Sequence, residues 1–300
     1  VSIEPHLGYG GQQHFYVGGK IYNYEGVNWT RNPYYKRPNL ILNFKDFQNN
    51  FNPNSEGYFW LKVKIDNNIN LTYGSENLNK VSVSLSEEQK KRNKNLNLVT
   101  EFGLNTNEIE IPFFEPHPKS TFAVITDFDN TITRVRKLGL IEYITTNPKI
   151  FKLRDEIVNT YNKIENNINP FFYVTARPNG TYKVVKTIID ENNLPKGPVL
   201  ARDLGFWFLN RGLSINQHKI VNIENVLNTY PDKKFVLIGD NSKTDVQVYN
   251  EIYNKYPDQI AHIFIFNNKK RTFKNSDALS YIKKPQEIID KLIAIGLLNN

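Results

Sequence analysis

The pattern of apolar and polar positions divides the chain into two parts. Residues 1–119 carry short alternating or aromatic runs without convincing helical periodicity, and turn-forming pairs such as Gly18-Gly19 and Asn52-Pro53 separate them. Such runs predict antiparallel strands and, together, a β-sandwich domain. The predicted strands are His14–Ile21, Tyr58–Ile65, Lys80–Leu85, Leu98–Phe102 and Ile109–Phe114. One short helix is predicted within Pro38–Asn50.

Residues 120–300 alternate apolar, β-branched runs with helical patterns. This alternation predicts an α/β domain, a Rossmann-like parallel sheet with helices on both faces. The predicted strands are Thr121–Thr126, Pro170–Thr175, Gly197–Leu200, Lys234–Ile238 and Ile260–Phe266. The predicted helices are Arg154–Asn166, Thr181–Asn192, His218–Thr229, Asp245–Tyr256 and Pro285–Ile293. Because the stiff segment Glu115-Pro116-His117-Pro118 precedes the first of these strands, the domain boundary is predicted between residues 119 and 120.

Polar side chains follow several predicted parallel strands, at the points where the strands end. Since the carboxyl ends of parallel strands lie along one edge of a sheet, these side chains are expected to lie close together. The set comprises Asp127 and Asp129 after the first strand, Thr175 after the second, Asp240 and Asp245 after the fourth, and Lys219 at the start of a helix. Strand-end turns with capping acids are the simpler alternative for each pair of acids. Lys243, which also lies near a strand end, is the alternative to Lys219 as the lysine of this group.

Four acids around one point predict phosphoryl-transfer chemistry with a metal ion. Like charges at close range raise one another's pKa, and a hard divalent cation compensates them. Asp127, Asp240 and Asp245, with the main-chain carbonyl of Asp129, make a plausible Mg²⁺ site that a phosphate ester would complete. Asp127 is the candidate nucleophile, and Asp129 the candidate proton donor and acceptor. The hydroxyl of Thr175 and the ammonium of Lys219 are candidates for binding phosphoryl oxygens.

These residues resemble the four signatures of the haloacid dehalogenase superfamily, in the expected order. The signatures are Asp127-Phe128-Asp129-Asn130-Thr131, then Thr175, then Lys219, then Gly239-Asp240 with Asp245. The resemblance implies a phosphatase, because an aspartate at the second position, here Asp129, is typical of the phosphatases of that superfamily.

Within the superfamily the chain looks like the actin-patch type of phosphatidate phosphatase. The segments that carry this resemblance are Phe172-Tyr173-Val174-Thr175-Ala176-Arg177-Pro178, residues 194–203, His218-Lys219 and Leu237-Ile238-Gly239-Asp240, with Gly8-Tyr9-Gly10, residues 17–21 and Glu56-Gly57-Tyr58-Phe59 in the first part. It implies a Mg²⁺-dependent phosphatase that converts phosphatidate to diacylglycerol. The segment Thr175-Ala176-Arg177-Pro178 departs from the serine-containing turn of that family, which leaves substrate choice open.

Charge and composition bear on the partner. The formal net charge of +8 favours an anionic partner, although the basic residues are spread along the chain as solvated lysines would be. A phosphorylated lipid or another phosphomonoester is the expected substrate, with peripheral contact to an anionic membrane, and nucleic acid is the less favoured partner. The alternatives are a phosphatase for a soluble or nucleic-acid phosphomonoester and a non-catalytic module that binds anionic lipid. The absence of cysteine excludes disulfides and thiolate catalysis.

Two arginines and one aromatic run are candidates for substrate contact. Arg177 and Arg202, with Asp203 nearby, either bind substrate or brace loops. The run Phe206-Trp207-Phe208 near Arg211 either touches lipid or packs within the protein. The first residues, Val1–Gly11, hold no signal-peptide core, so a cytoplasmic location is expected, with a signal removed before Val1 as the alternative.

Overall fold

The computed structural model describes residues 1–11, 13–22, 38–54, 57–65, 71–74, 78–92, 98–99, 105–134, 151–165, 168–203, 213–267 and 278–299. The chain divides into two compact units, Val1–Glu115 and a second unit that begins at Pro116. The domain boundary predicted between residues 119 and 120 stays a prediction.

The described part of the first unit is built on a nine-stranded mixed sheet and a short helix. The elements are β1 (Ser2–Gly10), β2 (His14–Tyr22), β3 (Leu40–Phe44), β4 (Phe47–Phe51), β5 (Tyr58–Lys64), β6 (Asn79–Leu85), α1 (Glu87–Arg92), β7 (Leu98–Val99), β8 (Asn105–Thr106) and β9 (Glu108–Phe114). The strand order is β4-β3-β6-β9-β1-β2-β5, and β7 pairs with both β1 and β8. Strand β1 runs parallel to β7 and β9, whereas the other pairs are antiparallel.

This sheet curls around its own core. Strands β4 and β5 stand at opposite ends of the strand order, yet the rings of Phe51 and Phe59 lie 4.8 Å apart. In the middle of the core Phe15 stacks on Phe113 with a centroid distance of 4.3 Å. The predicted antiparallel β-sandwich is therefore not confirmed. A single curled sheet buries alternate residues as two facing sheets do, so the sequence pattern does not distinguish them.

The predicted helix within Pro38–Asn50 is wrong, because β3 and β4 form a hairpin there. Leu40, Leu42 and Phe44 alternate with polar or half-buried residues, which is the period of a strand with one buried face. The turn places Lys45 in the left-handed region, with a φ of 51°. Two strands thus replace the predicted helix at one edge of the sheet.

The second unit is an α/β domain with a six-stranded sheet in its described part, and this confirms the predicted parallel sheet. The strand order is β14-β13-β10-β15-β16-β17, and a separate two-stranded ribbon pairs β11 with β12. The strands are β10 (Phe122–Thr126), β11 (Thr133–Arg134), β12 (Lys152–Leu153), β13 (Phe171–Pro178), β14 (Val199–Arg202), β15 (Lys234–Asp240), β16 (Ile260–Phe266) and β17 (Leu279–Ile282). The helices are α2 (Ile157–Glu165), α3 (Tyr182–Glu191), α4 (Ile215–Thr229), α5 (Lys243–Lys255) and α6 (Gln286–Ala294).

Strand β10 lies inside this sheet, between β13 and β15, and all five of its residues are buried. Phe122 and Val124 belong to a hydrophobic cluster with residues of α2, α3 and α6. Ala123 and Ile125 point to the opposite face and are buried as well, and α4 and α5 pack on strands of the same sheet. The run is apolar throughout because both faces of the strand are covered, and the strand ends where Asp127 begins the loop at the carboxyl edge of the sheet.

The helices that the structure describes include none with the length and apolar character needed to span a membrane.

Candidate active site

The main chain of Asp127 is fixed at both its amide and its carbonyl. The Asp127 amide donates to the carbonyl of Ile238 on β15 at 2.9 Å, and this carbonyl also accepts a hydrogen bond from the Tyr249 hydroxyl at 3.0 Å. The Thr126 hydroxyl donates to the Asp127 carbonyl at 2.9 Å and lies 2.7 Å from the hydroxyl of Tyr161. Both tyrosines are buried, so the backbone at Asp127 is held from the two sides of β10.

Lys219 bridges two of the predicted acids. Its ammonium lies 2.6 Å from Asp127 Oδ1 and 2.5 Å from Asp245 Oδ1, and all three side chains are buried. Burial alone would lower the pKa of Lys219, but Coulombic attraction to Asp127 and Asp245 raises it above its ordinary value. Lys219 is therefore charged in the fold. Its rival Lys243 is exposed, so Lys219 is the lysine that contacts the acids.

The loop and helix after β15 bring Asp240 and Asp245 beside this ion pair. The Asp240 amide donates to Asp245 Oδ2 at 3.1 Å, and the Ser242 amide donates to Asp240 Oδ1 at 2.9 Å. Ser242 caps α5, since its hydroxyl accepts from the Asp245 amide at 3.3 Å. A Cβ at Gly239 would lie 2.7 Å from Asp245 Oδ2, so only glycine allows this close approach.

Buried carboxylates outnumber the ammonium group that contacts them. Burial raises the pKa of Asp127, and the neighbouring Asp245 and Asp129 raise it further while Lys219 opposes the shift. Burial and Asp245 likewise raise the pKa of Asp240. The single positive charge of Lys219 thus does not balance the carboxylates around it. Carboxylate oxygens are the ligands that hard divalent cations prefer. In donor type, although not yet in number, the residues match what Mg²⁺ takes.

The geometry also bears on which acids would hold such a cation. Among the described residues no group of three or more histidine or acidic side chains is arranged to hold a metal ion as it stands. Asp127 and Asp245 each accept hydrogen bonds on both carboxylate oxygens, one of them in each case from Lys219. Hydrogen bonding therefore does not separate these two acids as direct ligands. The sequence analysis missed Thr131 as a partner of Asp127, whose Oδ2 accepts from the threonine hydroxyl at 3.2 Å.

His218 fixes the helix of Lys219 against the strand of Thr175. Its Nε2 lies 3.1 Å from the carbonyl of Thr175 and 3.3 Å from that of Leu200, and its Nδ1 lies 3.1 Å from Asn222 Nδ2. Two carbonyls at Nε2 and an amide donor at Nδ1 match the neutral ring with its proton on Nε2. Burial lowers the pKa of His218 from 6.5 to about 4, although the two carbonyls oppose the shift.

We expect His218 to make the protein sensitive to mild acid. Its pKa in the fold lies below the unfolded value, so its contribution to stability is complete above pH 6.5 and is lost as pH falls towards 4. The loss amounts to about 3 kcal/mol, at roughly 1.4 kcal/mol per pKa unit. Urea unfolding of His218→Gln between pH 7 and pH 4 should show a shallower fall than the wild type. His117→Gln, in a half-exposed turn, is the control, and an unchanged slope in His218→Gln would contradict the assignment.

Thr175, Asp129 and Arg177 form a second group at the same edge. The Arg177 amide donates to the Thr175 hydroxyl oxygen at 3.1 Å, while the Thr175 hydroxyl keeps its own proton for another acceptor. The Arg177 guanidinium donates from Nε and Nη2 to Asp129 Oδ1 at 3.1 and 2.7 Å. After Asp129, Asn130 adopts a left-handed conformation with a φ of 61°. The candidate arginine Arg177 therefore contacts a candidate catalytic acid.

The other predicted substrate contacts lie apart from this group or outside the described residues. Arg202 donates from Nε and Nη2 to the carbonyl of Leu213, at 3.0 and 2.8 Å, and so bridges the two chain segments that flank residues 204–212. Asp203 is exposed. The aromatic run Phe206-Trp207-Phe208 and Arg211 lie outside the described residues.

A parallel α/β sheet with buried acids, a lysine and a hydroxyl at its carboxyl edge is an arrangement suited to phosphoryl transfer. Residues 122–267 match the family model described as the catalytic domain of phosphatidate phosphatase APP1. The matched segment starts at the first residue of β10 and includes every predicted site residue.

The chain is also similar to one curated protein, phosphatidate phosphatase APP1 of Saccharomyces cerevisiae. The two are 35% identical over 96 residues, which cover 32% of this chain and 16% of the yeast protein. The chain therefore matches only a small part of the length of that relative.

Two solved structures are similar to the chain only at low sequence identity. A structure of DsGPDH of Dunaliella salina has a TM-score of 0.40 at 16% identity, covering 58% of this chain and 29% of that one. A structure of the Pnkp1/Rnl/Hen1 complex has a TM-score of 0.34 at 15% identity, covering 56% of this chain and 57% of that one. At these TM-scores neither structure bears on function.

Proposed function

We propose that the chain is a Mg²⁺-dependent phosphatase of the haloacid dehalogenase type that hydrolyses phosphatidate through an aspartyl-phosphate. The observation that carries the proposal is the buried contact of Lys219 with Asp127 and Asp245, at 2.6 and 2.5 Å, at the carboxyl edge of a parallel sheet. A carboxylate held between a lysine and a threonine hydroxyl, on a backbone fixed by two tyrosines, is oriented for attack on phosphorus. Phosphatidate is the substrate that the similarity to APP1 favours.

In the first step a carboxylate oxygen of Asp127 forms a bond to phosphorus. The bond from phosphorus to the ester oxygen breaks, and Asp129 gives its proton to the leaving alkoxide. In the second step water attacks the phosphorus of the aspartyl-phosphate and passes a proton to Asp129. The bond between phosphorus and the Asp127 oxygen then breaks, which releases inorganic phosphate and restores both acids.

The surrounding residues stabilise charge in both steps. The Thr175 hydroxyl donates to a phosphoryl oxygen, and the Lys219 ammonium offsets its negative charge. Asp127 and Asp240, with the carbonyl of Asp129, would hold Mg²⁺, while Asp245 holds Lys219 in place. When bound, the cation neutralises phosphoryl charge and keeps the carboxylate of Asp127 ionised.

Phosphate release from purified protein tests this function. We expect phosphate release from phosphatidate in vesicles, abolished by excess EDTA and restored by Mg²⁺. The reason is that Lys219 alone does not balance the charge of the buried carboxylates of Asp127, Asp240 and Asp245. A soluble alkyl phosphate and a 3′-phosphorylated oligonucleotide, assayed at equal phosphate concentration, should react more slowly. Faster turnover of either soluble ester would replace phosphatidate as the substrate. Vesicle binding without turnover of any ester would contradict an enzymatic function.

A further inference from the structure

The side chain of Arg177 is the largest of the fully buried side chains among the described residues, and it contacts Asp129. The Arg177 side chain has 0% exposure and that of Asp129 has 19%. Both donors, Nε and Nη2, reach the same carboxylate oxygen, Oδ1. A planar guanidinium with two donors on one oxygen fixes that oxygen more tightly than a single flexible ammonium would. The other oxygen of Asp129, Oδ2, is then held in a fixed direction.

The guanidinium is itself held in place. Its Cζ lies 4.4 Å from the centroid of the Phe151 ring, in a cation–π contact. Its backbone lies on β13, where the Arg177 amide donates to the Thr175 hydroxyl oxygen at 3.1 Å. Arg177 therefore links the position of Asp129 to that of Thr175.

The backbone that carries Asp129 is fixed by a different arginine. Arg154 donates from Nε to the carbonyl of Thr131 at 2.9 Å and from Nη2 to the carbonyl of Asn130 at 2.5 Å. Its Cζ lies 4.0 Å from the centroid of the Phe266 ring. Arg154 thus fixes the main chain that follows Asp129, whereas Arg177 fixes the Asp129 side chain.

We propose that Arg177 is a positioning residue that orients Asp129 for proton transfer, and that it does not bind the substrate. This inference rests on the proposed phosphatase function. The Nε and Nη2 donors of Arg177 are already engaged by Asp129 Oδ1, so these donors are not available to a phosphate ester. A proton donor that is misplaced by even a small distance loses much of its effect, so an orienting partner matters for the rate.

Leaving-group dependence separates the two roles. A short-chain phosphatidate expels diacylglycerol as an alkoxide that needs a proton, whereas 4-nitrophenyl phosphate expels 4-nitrophenolate, which does not. In Arg177→Met we expect kcat to fall on the order of 100-fold with the phosphatidate, with KM changed by less than about threefold. With 4-nitrophenyl phosphate, kcat/KM, which reports the formation of the aspartyl-phosphate, should fall by less than about fivefold. The second step needs Asp129 with either ester, so kcat/KM and not kcat is the quantity compared between the two esters.

Further variants connect the effect to Asp129. Asp129→Asn should show the same dependence on the leaving group, and the double variant Asp129→Asn with Arg177→Met should lose little more than either alone. Arg177→Lys keeps the positive charge but lacks the planar group with two donors, so it should restore the rate only in part. This variant also provides a test if Arg177→Met folds poorly. Arg134→Met, an exposed arginine paired with Asp155, is the matched control.

The outcomes distinguish this inference from the proposed function. A raised KM with equal losses of kcat/KM on both esters would make Arg177 a substrate contact and overturn the inference alone. Additive losses in the double variant would also overturn it. A wild type that releases phosphate from neither ester, with Mg²⁺ present, would overturn the proposed function and this inference with it.

Discussion

Asp127→Asn should lose phosphatase activity while it keeps the fold. The amide has nearly the shape of the carboxylate, so the hydrogen bond from Thr131 can persist and Lys219 retains Asp245 as its partner. An amide oxygen does not form the acyl phosphate, and the loss of a nucleophile costs far more than the loss of one hydrogen bond. We expect kcat to fall about 10⁴-fold or more for every phosphate ester that the wild type hydrolyses.

Two measurements make this result specific to a nucleophile. Asp232→Asn, the same chemical change at an exposed turn of the same unit, should keep wild-type activity, and circular dichroism should be unchanged in both variants. Acid quench of the wild type during turnover should trap a protein heavier by one phosphoryl group, carried on Asp127. A variant that stays within tenfold of the wild type, as an order-of-magnitude threshold, would rule out Asp127 as nucleophile.

The parallel sheet could be predicted because its strands are buried on both faces. Such strands read as continuous apolar runs, and the predicted β16, Ile260–Phe266, agrees with the structure at both ends. Helix α4 begins at Ile215, before the predicted His218, because Ser214 and Gln217 form a capping box that the apolar period does not reveal. The signal was present in the spacing of those two residues.

The first unit was predicted less well for a physical reason. Strand β1 was missed because Pro5 and Gly8 are residue types that disfavour strands, and because its register shifts between His6 and Tyr9. Residues with no regular apolar period carry little information about strands, since pairing there depends on neighbours distant in sequence. The mixed character of the sheet also follows from such pairing, because β1 runs parallel to β9 near the end of the unit.

The candidate site shows the same division between signals that are local and contacts that are not. Acids at strand ends predict a common edge, so the proximity of Asp127, Asp240 and Asp245 follows from the topology. Tyr161 and Tyr249 were missed because helical periodicity predicts only that a residue is buried, not what its hydroxyl contacts. The contact between the Arg177 side chain and Asp129 could not be predicted from the sequence either. An arginine near a strand end is equally suited to bind substrate or to brace a loop.

The second large effect that we expect is on stability, in Lys219→Met. Methionine has nearly the length of lysine but leaves the buried carboxylates of Asp127 and Asp245 without the ammonium that contacts both. Removing one partner of a buried ion pair costs about 3–5 kcal/mol, because the remaining charge is neither solvated nor paired. The free energy of unfolding, measured in urea at pH 7, should fall by this amount, and activity should be lost as well.

The pH dependence of this loss identifies its cause. Without Lys219 the pKa of Asp127 in the fold rises further above its unfolded value, because burial already raises it and Lys219 opposes the shift through its charge and its hydrogen bond. An acid whose pKa is raised in the fold destabilises the protein as pH increases, since the unfolded state releases its proton first. The penalty of Lys219→Met should therefore be larger at pH 8 than at pH 5. Lys183→Met, at an exposed position of α3, should show neither effect. A penalty that is the same at both pH values would point to lost packing of the lysine side chain and would contradict a role for its charge.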